Sequence, residues 1–196
     1  LWMNINDLEA RKEAWVQEQF LTAKSVQVLP DAELPGSDPF VVLSSKDSCL
    51  DNKDDLDRCY YGGVDVSFPN EENDPAVAVY VIMDAHLNVL YRDHLYFELS
   101  VPYVPSFLSF REIEPLCELI LRQHQNQPSL TPRVILVDGN GVWHERSAGI
   151  ASAIGVRIGL PTIGVAKTFY CLGDDWTKDA LSQIVDAALV ESVQFL

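Results

Sequence analysis

A chain of 196 residues, 47% hydrophobic and 22% charged, is long enough to bury one good-sized core and too apolar to stay disordered, so a single globular domain is expected. Its 14 lysines and arginines against 29 aspartates and glutamates give a net charge of −15, which excludes a broadly basic surface and works against any partner held mainly by attraction to phosphate. No apolar run has the length of a membrane span, the N-terminus lacks the basic and apolar regions of a secretion signal, and Cys49, Cys59, Cys117 and Cys171 show no zinc-like pairing; a cytoplasmic or nuclear (including nucleolar) protein with reduced thiols, neither secreted nor bound to membrane, is expected.

In chain order, Asp7 to Ala23 reads as an amphipathic helix, with Leu8, Trp15, Phe20 and Leu21 among its apolar positions. Leu29 to Phe40, rich in proline and acid, reads as a loop, and a further acidic loop covers 41–60. Its densest part, DSCLDNKDDLDR from Asp47 to Arg58, lacks the glycine and the terminal glutamate of a calcium loop and is expected to be a solvated insertion. In GGVDVSF, Val64, Val66 and Phe68 alternate with Gly63, Asp65 and Ser67, so strand geometry puts Asp65 on the face opposite the apolar side chains. The two preceding glycines allow close approach of another backbone or a ligand. Ala76 to Ile82 and Val89 to Leu99 read as strands joined by a turn around Asp84 to Asn88.

The stretch PYVPSFLSFREIEPLCELI opens a helix whose start has two readings. Ser109 and Glu112 have capping-box spacing, but a helix begun there carries Pro115 beyond its first turn, where proline removes a hydrogen bond and clashes. With Pro115 at the first helical position, the helix starts near Glu114 and leaves Glu112 outside; this placement is preferred. Ile113, Leu116, Cys117, Ile120 and Leu121 form its apolar face. The run from Val134 to Val137 is continuous enough for a strand buried on both faces of a mostly parallel sheet, and it ends in Asp138 and Gly139, the end of a strand where ligands bind in open α/β sheets. Ser147, Ala148, Ala151, Ser152 and Gly155 give a second helix small residues for close packing. Thr162 to Ala166 is the last strand, and a short amphipathic helix within Trp176 to Phe195 closes the chain.

Three carboxylates thus stand at element ends: Asp65, Glu112 and Asp138. Hard oxygen ligands of this kind suit Mg²⁺, which accepts one or two carboxylates, keeps water and binds phosphate oxygens. Such an ion polarises a phosphodiester and activates water, the chemistry of a phosphodiester hydrolase. The sequence alone does not bring the three together.

The blocks GGVDVSF, PYVPSFLSFRE, VDGNGVWHERSAGIAS and GLPTIGVAK, in this order and spacing, resemble the endonuclease V family over roughly Tyr61 to Tyr170. The resemblance implies an α/β, ribonuclease H-like domain spanning 1–196, with a mixed central sheet flanked by helices. It implies an endonuclease that uses Mg²⁺ or Mn²⁺ to hydrolyse a phosphodiester on the 3′ side of inosine in single-stranded RNA or DNA; a monomer is expected. By the same resemblance Asp65, Glu112 and Asp138 are metal ligands, and His144 and Lys167 lie near the scissile phosphate. Pro102, Tyr103, Val104 and Pro105 match a wedge beside the modified base, while Ser106, Leu108, Gly139 and Ile150 match its hypoxanthine pocket. Physical reasoning is compatible with these roles. Removing a base from its stack costs a few kcal/mol, and an aromatic held between two prolines offsets part of that loss. Glycine suits a position where backbone approaches the base.

Two features oppose a straightforward nuclease. The net charge repels nucleic acid unless Arg111, Arg146, Arg157 and Lys167 form a local basic patch. The family's final ligand-bearing segment also has no counterpart after Lys167, so a C-terminally incomplete chain is expected, and a first residue of Leu rather than Met points to a fragment. The family often has histidine where this chain has Ala153. The alternative reading is therefore a non-catalytic or truncated member that binds inosine-containing nucleic acid without cutting it; another ribonuclease H-like nuclease is a third.

Overall fold

The computed structural model describes residues 5–27, 60–69, 74–102, 104–167 and 179. Among them α1 (Ile5–Ser25) is followed by β1 (Tyr61–Ser67), β2 (Ala76–Met83), β3 (Val89–Phe97), α2 (Ser109–Asn126), a 3-10 turn (Pro128–Leu130), β4 (Val134–Asp138), α3 (Ile150–Ile158) and β5 (Thr162–Val165). The strands form one sheet in the order β3-β2-β1-β4-β5. β1, β2 and β3 pair antiparallel, whereas β4 runs parallel to β1 and β5 parallel to β4. The sheet is mixed and flanked by helices, as expected.

The period of two is clearest in β2, where Ala76, Ala78, Tyr80 and Ile82 are all fully buried and the residues between them are half-exposed. Their buried face joins Val64 of β1, Ile135 and Val137 of β4, and Leu116, Leu119 and Ile120 of α2 in one core. Gly62 belongs to this packing, since a Cβ there would lie 3.0 Å from Ile135 and 3.1 Å from Tyr80; Gly63 has open space instead. Gly155 permits close helix–strand approach, because a Cβ would sit 2.6 Å from the Thr162 hydroxyl.

Several expectations need correction. α2 begins at Ser109, so Glu112 lies in its first turn and Pro115 lies inside it. No capping box forms either, since Leu108 takes the N-cap position without a side-chain bond. A helix-interior proline costs about 3 kcal/mol. The turns gained before Pro115 are held by packing: Ser109 is buried, Ile113 lies against the main core and Phe110 stacks on Trp15. The buried face of α2 uses Leu119 rather than Leu121, which is exposed. On α1, Trp15 and Gln19 are buried while Phe20 and Leu21 face out. Leu136 is exposed, so β4 is not covered on both faces as its unbroken apolar run suggests. Ser147 and Ala148 precede α3, and β3 and β5 end at Phe97 and Val165. Tyr103, most of the 41–60 loop, Cys49, Cys59, Cys171 and the Trp176 to Phe195 helix lie outside the described residues.

Candidate active site

Strand register brings two of the carboxylates together. Val64 of β1 is paired with Val137 of β4 in parallel, so Asp65 and Asp138 follow as neighbours on adjacent strands. Val64 points into the core, and alternation turns Asp65 outward, where it is exposed. One Asp65 carboxylate oxygen accepts the Val66 amide at 2.8 Å. Glu112 enters from the first turn of α2. Burial pushes its carboxyl up to about 7, the neighbouring Arg111 charge opposes this, and the negative charges of Asp138 and Asp65 raise it further. Charges act on one another this way only at short range, so the three carboxylates occupy one corner of the sheet.

Lys167, just beyond β5, reaches the same corner. Its Nζ donates to Asp138 Oδ2 at 3.0 Å, and that bond, with the Asp138 and Asp65 charges, raises its pKa. Among the described residues no three carboxylate, imidazole or thiol side chains close into a finished metal cage. The donor set still fits a hard divalent cation. Three carboxylates share one corner, one is kept partly protonated by desolvation and its neighbours, and another is neutralised by an ammonium group that a cation can replace.

The second group of expected residues lies on two loops. Between β3 and α2, Val104 is buried, Pro102 is half-buried, Pro105 is exposed, and Ser106 adopts a left-handed backbone with φ 67°. Val101, Val104 and Phe107 pack on Trp15 of α1, whose ring lies 5.6 Å from that of Phe107 and stacks on that of Phe110 at 5.0 Å. Leu108 is half-buried at the start of α2. Between β4 and α3, Gly139 has φ 139°, and a Cβ there would come within 2.5 Å of Ile150 Cγ2. Gly139 and Ile150 are thus in direct contact, and only glycine fits that backbone at that distance.

His144 is buried in the β4–α3 loop. Its Nδ1 accepts the Arg146 amide at 3.2 Å, which leaves Nε2 to carry the proton of the neutral ring, and the ring bonds the Ser106 backbone. Burial, then the Arg146 charge, lowers its pKa. Gln19, Trp15 and Arg146 complete the surroundings of this loop. Arg146 stands in the sequence only as a candidate for a basic patch, and the only trace of Gln19 is its i, i+4 spacing from Trp15 on α1.

The basic patch is largely committed to internal partners. Arg146 bonds Gln19 and the Ser106 carbonyl, Arg157 forks onto both oxygens of Glu114, Lys167 holds Asp138, and Arg111 stands over the Phe68 ring. Two clefts of about 510 and 740 Å³ lie beside Tyr96 and between β3 and α2, and neither is lined by the carboxylates. Carboxylates at an open sheet end suit a polymer laid across the surface better than a small enclosed ligand.

A family model described as Endonuclease V matches residues 44–192. Curated relatives of that name are 48% identical in Mus musculus and 45% identical in Homo sapiens, each over 107 residues. Those matches take up 54% of this chain and 32% and 38% of the two relatives, so the chain matches well under half of their length. The solved catalytic domain of human endonuclease V superposes with a TM-score of 0.71 at 32% identity, over 90% of this chain and 66% of that one. Ciona intestinalis endonuclease V, solved with a 24mer DNA containing an inosine followed by a ribo-adenosine, gives 0.72 at 28% identity, over 93% and 69%.

Proposed function

This chain belongs to the endonuclease V family, and on that premise we propose that it is a metal-dependent endonuclease that hydrolyses a phosphodiester on the 3′ side of inosine in single-stranded RNA or DNA. The observation that carries the proposal is the β1–β4 register that sets Asp65 beside Asp138, with Glu112 near enough for both charges to raise its pKa. The Ciona relative solved with inosine-containing DNA supports the substrate class.

Asp65, Glu112 and Asp138 would hold Mg²⁺ or Mn²⁺, which when bound supplies Lewis acidity at the phosphodiester and makes attacking water more acidic. The chain's own groups do the rest. Glu112, whose carboxyl burial pushes up to about 7 in the metal-free protein, would give up its proton when a cation binds, so metal binding would be weaker at low pH. Lys167 places its ammonium beside Asp138, where a phosphate oxygen would approach. Tyr103, flanked by Pro102 and Pro105, would fill the place of the displaced base, and the Gly139–Ile150 contact would form one wall of a pocket for the flipped hypoxanthine. Tyr103→Ala should weaken binding to inosine-containing strands by about 1–3 kcal/mol and binding to inosine-free strands less.

One observation favours a second reading, binding without cleavage: Asp138 is already paired with Lys167 at 3.0 Å, so a cation has to compete for that carboxylate. A single assay separates the two. Single-stranded RNA and DNA carrying one inosine, and adenosine controls, are incubated with the chain in Mg²⁺, Mn²⁺ or chelator. Metal-dependent cleavage on the 3′ side of inosine supports the nuclease. Selective binding without product supports the second reading, and cutting that persists in chelator contradicts the metal assignment. The proposed setting is cytoplasmic or nuclear, with the chain acting as a monomer.

A further inference from the structure

Ser106 is a left-handed, non-glycine residue in the loop between β3 and α2, with φ 67°. A backbone of this kind persists only where its surroundings over-determine it. Those surroundings converge on one atom, the Ser106 carbonyl oxygen. Gln19 Nε2 donates to it at 3.2 Å and Arg146 Nη2 at 2.9 Å, and the His144 ring bonds the same residue's backbone. A carbonyl offers two lone pairs, and Gln19 and Arg146 together fill them.

Gln19 sits at the centre of this arrangement. It is 3% exposed on α1, far from the carboxylates in sequence. Its Nε2 also donates to the Ala148 carbonyl at 3.3 Å, and its Oε1 accepts from Arg146 Nε at 2.5 Å. Arginine can only donate and a carbonyl can only accept, so the amide's orientation is fixed by its partners. Arg146 in turn lies over the Phe107 ring, 4.5 Å from its centroid. One buried amide on α1 therefore ties the β3–α2 loop to the β4–α3 loop.

We propose that Gln19 is a positioning residue for base discrimination: through the Ser106 carbonyl it fixes the loop from Val104 to Leu108 against the loop that carries Gly139 and Ile150. This rests on the functional reading above, in which those two loops take up inosine. A pocket that tells hypoxanthine from adenine by a few hydrogen bonds needs its walls held within fractions of an ångström, and a mobile Ser106 would blur the distinction.

The test uses the full chain with Gln19→Leu, which removes all three bonds, and Gln19→Glu, which keeps an acceptor for Arg146 but loses both donors. Hydrogen exchange is followed in a peptide spanning 104–109, with β2 as internal reference. Both variants should exchange at least about tenfold faster in that peptide and unchanged in β2. The preference for a single-stranded RNA with one inosine over its adenosine counterpart should fall by about tenfold or more, with the loss in KM rather than kcat. A merely structural role would lower the folded fraction, and with it kcat, and leave the preference intact. Unchanged exchange in 104–109 overturns the clamp whatever the substrate proves to be. Faster exchange with an unchanged preference overturns the specificity role, and a wild-type chain with no preference for inosine overturns both that role and the functional reading.

Discussion

At the scale of the residue, Glu112 gives a sharp prediction. In the folded protein it keeps its proton up to about 7, against an ordinary value of 4.5. Between these values the folded state binds more protons than the unfolded state, so the metal-free protein should lose stability as pH rises from about 4.5 to 7. Urea unfolding at intervals across that window should show the decline, and Glu112→Gln should remove it. A wild-type profile that is flat there would mean the carboxyl is not desolvated. Gly139→Ala should destabilise by about 1–3 kcal/mol, because φ 139° and the 2.5 Å approach to Ile150 both reject a Cβ; a thermal melt that does not shift would contradict that contact. The carboxylates themselves were legible in the sequence as acids ending strands or opening a helix. The clamp of Gln19 and Arg146 was not, because a buried amide gives no periodic signal, a partly buried arginine looks like any surface charge, and their shared partner Ser106 lies 87 and 40 residues away.

At the scale of the element, α1 anchors the loop beyond β3. Trp15 is 8% exposed and packs on Phe107, Phe110, Val101 and Val104. Trp15→Ala should cost about 3–5 kcal/mol in denaturant unfolding, and a loss below about 1 kcal/mol would show that α1 is not held by this contact. The helix was visible in the sequence, but its buried side was misjudged. Phe20 and Leu21 are the more obvious apolar residues, yet Trp15 and Gln19 face the protein, because the surface α1 meets is partly polar. The start of α2 was misjudged for a related reason. A rule about proline weighs one local cost, whereas the packing of Ile113 on the core and of Phe110 on Trp15 holds the turns before it. Strand positions were read closely, since alternation in β2 leaves little ambiguity.

At the scale of the whole molecule, the sequence shows the charge problem and the structure sharpens it. A net charge of −15 repels nucleic acid, and Arg146, Arg157 and Lys167 are already engaged within the protein. Binding to an inosine-containing single strand should therefore neutralise few phosphates. The slope of log affinity against log salt should be shallower than about −2, equivalent to fewer than about three phosphates, and a slope near −5 would contradict this. The central claim is that Asp65, Glu112 and Asp138 act as one metal-holding unit beside the scissile phosphate. It is tested most directly by single-turnover cleavage of a single-inosine RNA in saturating Mn²⁺, comparing the wild-type chain with Asp65→Asn, Glu112→Gln, Asp138→Asn and the triple variant. Groups that act as a unit are strongly non-additive, so each single change should lose nearly as much rate as the triple. A single variant that cuts within about tenfold of the wild-type chain, while the triple variant does not, would contradict it.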